Sequence, residues 1–150
     1  MRGLPSAHGR VYFNRVYVQG DITRPPAWPA HYAQLKHGQV LSWHVTVGGL
    51  QVVHIDTAEF HADELAGLRC DVLCLCAIGR RFRPNYVADA IRLLRPRWVI
   101  PCHWDLMTLP YDAEPLLLPQ VDLPGMLAEI RDCGAEPLLL PFEGVFTPEA

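Results

Sequence analysis

Two β-rich runs, Gln39 to Val47 and Leu50 to Ile55, flank the dipeptide Gly48-Gly49. A two-residue glycine turn between such runs is a strong hairpin signal, because the turn that best fits twisted strands needs positive φ. The rhythm then changes. Glu59 to Leu68 predicts a short helix, and Asp71 to Ala77 a continuous apolar strand buried on both faces. From Asn85 to Leu94, residues Val87, Ala90, Ile91 and Leu94 share one helical face with Arg92 and Arg95 opposite, and Pro96 stops the helix. Trp98-Val99-Ile100 predicts a further buried strand ending at Pro101. Met126 to Cys133 predicts a third helix closed by Gly134, and Pro137 to Phe142 a last strand. Upstream, the aromatic and β-branched run Val11 to Val18 reads as a strand. Gln19 to Gly38, punctuated by Pro25, Pro26 and Pro29, reads as a long loop, of a length that usually lines a site or makes a contact. Strand–helix–strand–helix–strand after an antiparallel pair implies an α/β fold, a mixed β-sheet with helices on one face. No internal repeat divides the sequence, so residues 1–150 are read as a single domain.

Composition narrows the function classes. Hydrophobic residues make up 50% of the chain and charged ones 19%, with a net charge of −3, the balance of a folded protein. Such near-neutrality argues against nucleic acid or an anionic membrane as the main partner. No apolar run reaches the roughly 18 residues of a membrane span, and the opening MRGLPSAHGR lacks the apolar core of a signal peptide. The five cysteines are an odd number and form no zinc-finger pattern. Cys74 and Cys76, two apart on an apolar strand, share a face, and buried free thiols in a cytoplasmic chain are the expectation.

Three polar residues stand at strand ends, where α/β folds place their sites. Asp56 closes the run VVHIDTAEF, His103 closes WVIPCHWD, and His8 precedes VYF in LPSAHGRVYF. One carboxylate and two imidazoles suit a divalent metal such as zinc. Each also has a plainer use. Asp56 suits the N-cap of a helix starting near Glu59, His103 a hydrogen bond to Asp105 or backbone, and His8 a solvated turn.

The segments SAHG, VTVGGLQVVHIDT, DVLCLCAIG and WVIPCHWD, in that order, resemble the second half of a metallo-β-lactamase-fold hydrolase of the lactonase-like branch. The resemblance implies the C-terminal half of an αββα sandwich. It assigns His8 to one metal, Asp56 to a bridging carboxylate and His103 to the second metal. Asp56 and His103 are thereby the expected catalytic residues, with Asp105 a possible support for His103. In that family, water activated by metal attacks an ester, lactone or phosphoester whose scissile oxygen the metal polarises. The family's HxHxDH motif is absent from these 150 residues, and Ile55 stands where the family has glycine before the aspartate.

Ligand counting then bounds the chemistry. Catalytic zinc takes about three protein ligands and leaves the fourth position to water. Three ligands spread over two metals cannot build a complete binuclear centre, so the isolated chain is expected to hold a divalent metal weakly or not at all. Two readings follow: a metal-dependent hydrolase present as a partial or split domain, or a non-catalytic half-fold acting as a dimeric binding protein. In both, the sheet face that would pack on the missing half needs cover, from a second copy of the chain or from a partner supplying that half. The expected ligand is a small-molecule substrate. Cys102 is expected to pack, with a direct thiolate ligand as the alternative. The Arg80-Arg81-Phe82-Arg83 run is read either as a solvated loop or as a contact for a substrate anion. Trp28, Tyr32, Trp43 and Trp104 are split between sheet cover and a cleft lining.

Overall fold

A computed structural model describes residues 1–110, 112–141 and 143–148. The hairpin forms where the glycines demand it: β2 (Val40–Val47) and β3 (Leu50–Ile55) pair antiparallel around Gly48 and Gly49, both at positive φ. They join β1 (Arg2–Ser6), β4 (Val72–Cys76), β5 (Trp98–Cys102) and β6 (Glu136–Pro137) in one six-stranded sheet in sequence order. The β1–β2 and β2–β3 pairs are antiparallel, and the β3–β4, β4–β5 and β5–β6 pairs are parallel. The architecture is α/β with a mixed sheet.

Period-2 alternation sorts the strands into two faces. Leu4, Val53, Ile55, Leu73, Leu75 and Val99 are fully buried on one of them. There they meet Leu65 of α1 (Ala62–Leu65), the apolar stripe of α2 (Tyr86–Leu94) and Met126 and Ile130 of α3 (Leu123–Asp132). All three helices bury side chains in this core. On the other face Leu41, Trp43, Val45, Val52, Cys74 and Ile100 stay partly exposed. Phe146 packs edge-on against Trp98 there, at 5.1 Å between ring centres.

Four sequence expectations change. Val11 to Val18 is not a strand: Phe13 and Asn14 take positive φ inside a 3-10 turn (Tyr12–Asn14), which a Val11–Arg15 bridge closes. The edge position goes instead to β1, in register from Arg2 opposite His44 to Ser6 opposite Val40. Helix α1 is a single turn, because Ala66 is extended and Gly67 takes φ +77. Helix α3 starts earlier than Met126, since the Asp122 carboxylate caps it by accepting from Gly125 N at 2.9 Å. The last strand shrinks to Glu136–Pro137 and one further bond from Leu138 N to Val99 O, and Phe142 lies outside the described residues. Helix α2 ends as expected: Arg95 adopts φ +47, as the residue before proline avoids the helical region.

Candidate functional site

Strand direction assembles the site. Since β1 and β3 both oppose β2, they point the same way, and β4 and β5 follow β3. The carboxyl ends of β1, β3, β4 and β5 therefore share one edge with the beginning of β2. That edge carries His8 after β1, Asp56 after β3, Ile78 after β4, His103 after β5, and His37 and Gln39 before β2. With Thr57 and a few apolar neighbours they line one cleft of about 270 Å³. His8, Asp56 and His103, far apart in sequence, thus share a cleft. His37, which the sequence reading passed over, shares it too.

The segment bearing His8 is pinned to the turn bearing Asp56. Gly9 is buried, and its amide donates to Thr57 Oγ1 at 2.5 Å. An added Cβ on Gly9 would sit 2.8 Å from Ala58 N and 2.9 Å from Thr57 Oγ1, so only glycine permits this approach. Gly79, at φ +86, packs against Arg10 O with the same intolerance of a side chain. Thr57 is 8% exposed, and its carbonyl accepts from the Tyr86 hydroxyl at 3.4 Å. Thr57 is spent on this buttress, and Asp56 caps no helix: α1 begins only at Ala62, with no side-chain cap.

Asp56 stands in the cleft mouth, its side chain 67% exposed and 3.9 Å from His54 Nε2. His103 leaves β5 at φ +53, a backbone region that strains non-glycine residues and recurs at functional sites. Its Nδ1 lies 3.8 Å from Cys76 Sγ, so its partner is that thiol rather than Asp105, which forms a bridge with Leu117. Burial, then the Asp56 charge, pushes the Cys76 thiol up to about 12. Burial chiefly, then the neighbouring Cys76 and Cys74, pushes Cys102 above the usual thiol range as well, and its Sγ rests 3.9 Å from His54 Nε2. Both therefore sit against the histidines as neutral thiols, the packing role expected of Cys102.

The two remaining histidines are a pair. His8 Nδ1 donates to Gly9 O at 2.8 Å and His37 Nδ1 to Gly38 O at 2.7 Å. A carbonyl only accepts, so Nδ1 is the donor in both rings. The rings stack with centres 5.0 Å apart. His37 Nε2 is buried with no hydrogen-bond partner.

A zinc-class ion needs such donors, at about 2.0–2.2 Å. The donor kinds match: imidazoles whose Nδ1 is engaged by a backbone carbonyl, and an exposed carboxylate. Among the described residues, however, no three His, Cys, Asp or Glu side chains stand close enough together to hold one ion. His8, His37, Asp56 and His103 line one cleft without forming such a group.

Neighbouring features resolve into scaffold. Arg80 donates to Glu129 at 2.5 Å and to Asp122 at 3.1 Å, and Arg83 pairs with Glu59 at 3.1 Å while lying over the Phe60 ring. These two arginines tie the turn after β4 to α3 and to the segment after β3. Trp28 and Tyr32 project from the long loop at 93% and 63% exposure, while Trp104 packs against the core. Among the described residues no helix is long and apolar enough to cross a membrane. No protein-family model and no curated protein matches this sequence.

Proposed function

We propose that this chain is a partial or split domain of a metal-dependent hydrolase of the metallo-β-lactamase superfamily, acting on an ester, lactone or phosphoester in a cytoplasmic setting. One observation carries the reading: His8, Asp56 and His103, drawn from three separate strand ends, line a single cleft. A bound zinc-class ion would supply Lewis acidity toward the scissile oxygen and toward water. His8 and His103 would hold metal through imidazole nitrogen. Asp56, exposed at the cleft mouth, would hold metal through its carboxylate and orient the attacking water toward the substrate. The partly exposed apolar face of the sheet is where a second copy, or a partner supplying the missing half-fold, completes the sandwich.

The test is hydrolysis of an aryl ester, a lactone and an aryl phosphodiester by the purified chain, with and without added zinc, beside light scattering for mass. Zinc-stimulated turnover that disappears in Asp56→Ala and His103→Ala supports the reading. A second reading has its own support, namely that no three donors gather on one ion. It makes the chain a non-catalytic dimeric binding protein, and a dimer without zinc-dependent turnover in any variant would favour it.

A further inference from the structure

His103 is a wall of two cavities. Besides the cleft it shares with His8 and Asp56, it lines a second of about 590 Å³ together with Pro101, Trp104, Pro115, Leu139, Leu140 and Pro141. Two pinned segments build this second cavity. After β5, Leu118 N donates to Trp104 O at 2.9 Å and Leu106 N to Leu116 O at 2.8 Å, which folds Pro115 back beside Trp104. After β6, Leu138 N donates to Val99 O at 2.8 Å and Phe146 packs on Trp98. Both ends of the segment that carries Leu139, Leu140 and Pro141 are thereby anchored to β5.

The chemistry of the two cavities differs. The cleft offers imidazole and carboxylate, whereas the second cavity offers an indole, leucine and proline side chains. Leu139 remains 46% exposed at its wall. Apolar surface held open beside a few polar groups is the form of a ligand pocket, and the volume lies within the usual range of about 300–1,000 Å³. Charge bounds what enters. Asp105 and Glu143 stand in the wall, and Asp56 stands in the mouth of the cleft. Of the arginines in the turn after β4, Arg80 and Arg83 pair with Asp122, Glu129 and Glu59, and Arg81 lies over the Phe82 ring. An anionic group entering here therefore meets charges of its own sign.

We propose that this second cavity receives the apolar acyl or aryl portion of an uncharged carboxylic ester or lactone, whose carbonyl lies past His103 in the polar cleft. The inference rests on the hydrolase reading above and narrows its substrate class from ester, lactone or phosphoester to the first two. His103 sets the register: a molecule with its apolar end against Trp104 and Leu139 reaches the cleft across that ring.

Binding of stable amide analogues tests it apart from turnover. The full chain, in buffer with a chelator, is titrated with the anilides of acetic, butanoic and hexanoic acid and with phenyl alkyl phosphates of matching length. Calorimetry gives the affinities, and the Trp104 indole resonance reports the place. Each added methylene should tighten anilide binding about threefold to fourfold, and the matching phosphate should bind about fivefold more weakly. Leu139→Gln should remove the dependence on chain length, and Val47→Gln, at an exposed apolar residue of the hairpin, should keep it. Leu139 and Val47 are 46% and 59% exposed, so neither change should move the urea midpoint. Hydrolysis of 4-nitrophenyl acetate, butanoate and hexanoate with zinc then separates the two readings. Binding that follows chain length, without zinc-stimulated turnover, supports the pocket and overturns the hydrolase. Turnover in a protein whose affinities ignore chain length, survive Leu139→Gln unchanged or favour the phosphates overturns the pocket and leaves the hydrolase standing. Neither binding nor turnover overturns both.

Discussion

Replacing Gly9 by alanine tests how tightly the first strand end is moored to the site. The added Cβ would lie 2.8 Å from Ala58 N, 2.9 Å from Ala58 C and 2.9 Å from Thr57 Oγ1. Two of these are backbone atoms and Thr57 is buried, so no flexible side chain can yield. The segment must lift away, at an overpacking cost of about 1–3 kcal/mol. Lifting it also breaks the Gly9 amide bond to Thr57 Oγ1, worth about 0.5–1.5 kcal/mol. The expected loss is about 2–4 kcal/mol, read as a drop in urea midpoint at unchanged slope. Thr57→Val, which keeps the shape but removes the acceptor, isolates the second part at about 1–3 kcal/mol through the buried amide left unpaired. Because His8 rides on the same segment, Gly9→Ala should also weaken zinc binding. A Gly9→Ala protein within about 0.5 kcal/mol of the parent, the range of ordinary surface changes, would refute this mooring.

Other outcomes follow from the same contacts. Arg80→Ala removes two carboxylate bonds from a side chain that is 20% exposed, so it should cost about 1–3 kcal/mol, less at high salt, by urea unfolding. Burial raises the Cys70 and Cys76 thiols from 9.0 to about 12. Groups with raised folded-state values stabilise fully below the unfolded value and lose that contribution as pH climbs to the folded one. The urea midpoint should therefore fall between pH 9 and about 12, and a native-state titration with a thiol reagent should leave Cys76 unmodified until the protein unfolds.

Much of the fold was legible because local chemistry and tertiary context agree there. Gly48-Gly49 forces the hairpin, the VLCLC strand has nowhere to go but the interior, and α2 carries its apolar stripe on one face up to Pro96. β1 was illegible for the opposite reason. Arg2–Ser6 contains Gly3 and Pro5, which argue against a strand, and it is held by pairing with β2 and by the one buried side chain of Leu4. Proline is tolerated because β1 is an edge strand. The run from Val11 has strand composition, but Phe13 is 80% exposed and nothing pairs with the run beyond its own short bridge.

The candidate site was legible to the extent that it obeys strand polarity. Asp56 and His103 directly follow strands whose ends are readable, so their meeting follows from the parallel part of the sheet. His37 precedes a strand rather than following one, so a polar residue's place at the end of a strand does not single it out. The signal was present nonetheless: the start of the second strand of an antiparallel pair must share an edge with the ends of its neighbours, which puts His37-Gly38-Gln39 beside Asp56. The stacked rings and the unpartnered nitrogen follow from the amide bonds of His37 to Val18 O and of Gly38 to Gly20 O, which no local pattern announces.

The most direct test of the central claim is zinc bound per chain at equilibrium with free zinc, by equilibrium dialysis and elemental analysis, on the parent, Asp56→Ala, His103→Ala and His61→Ala. The account predicts bound zinc in the parent and in His61→Ala, and a marked loss in the other two. Zinc retained equally by all four proteins, or by none, would contradict it.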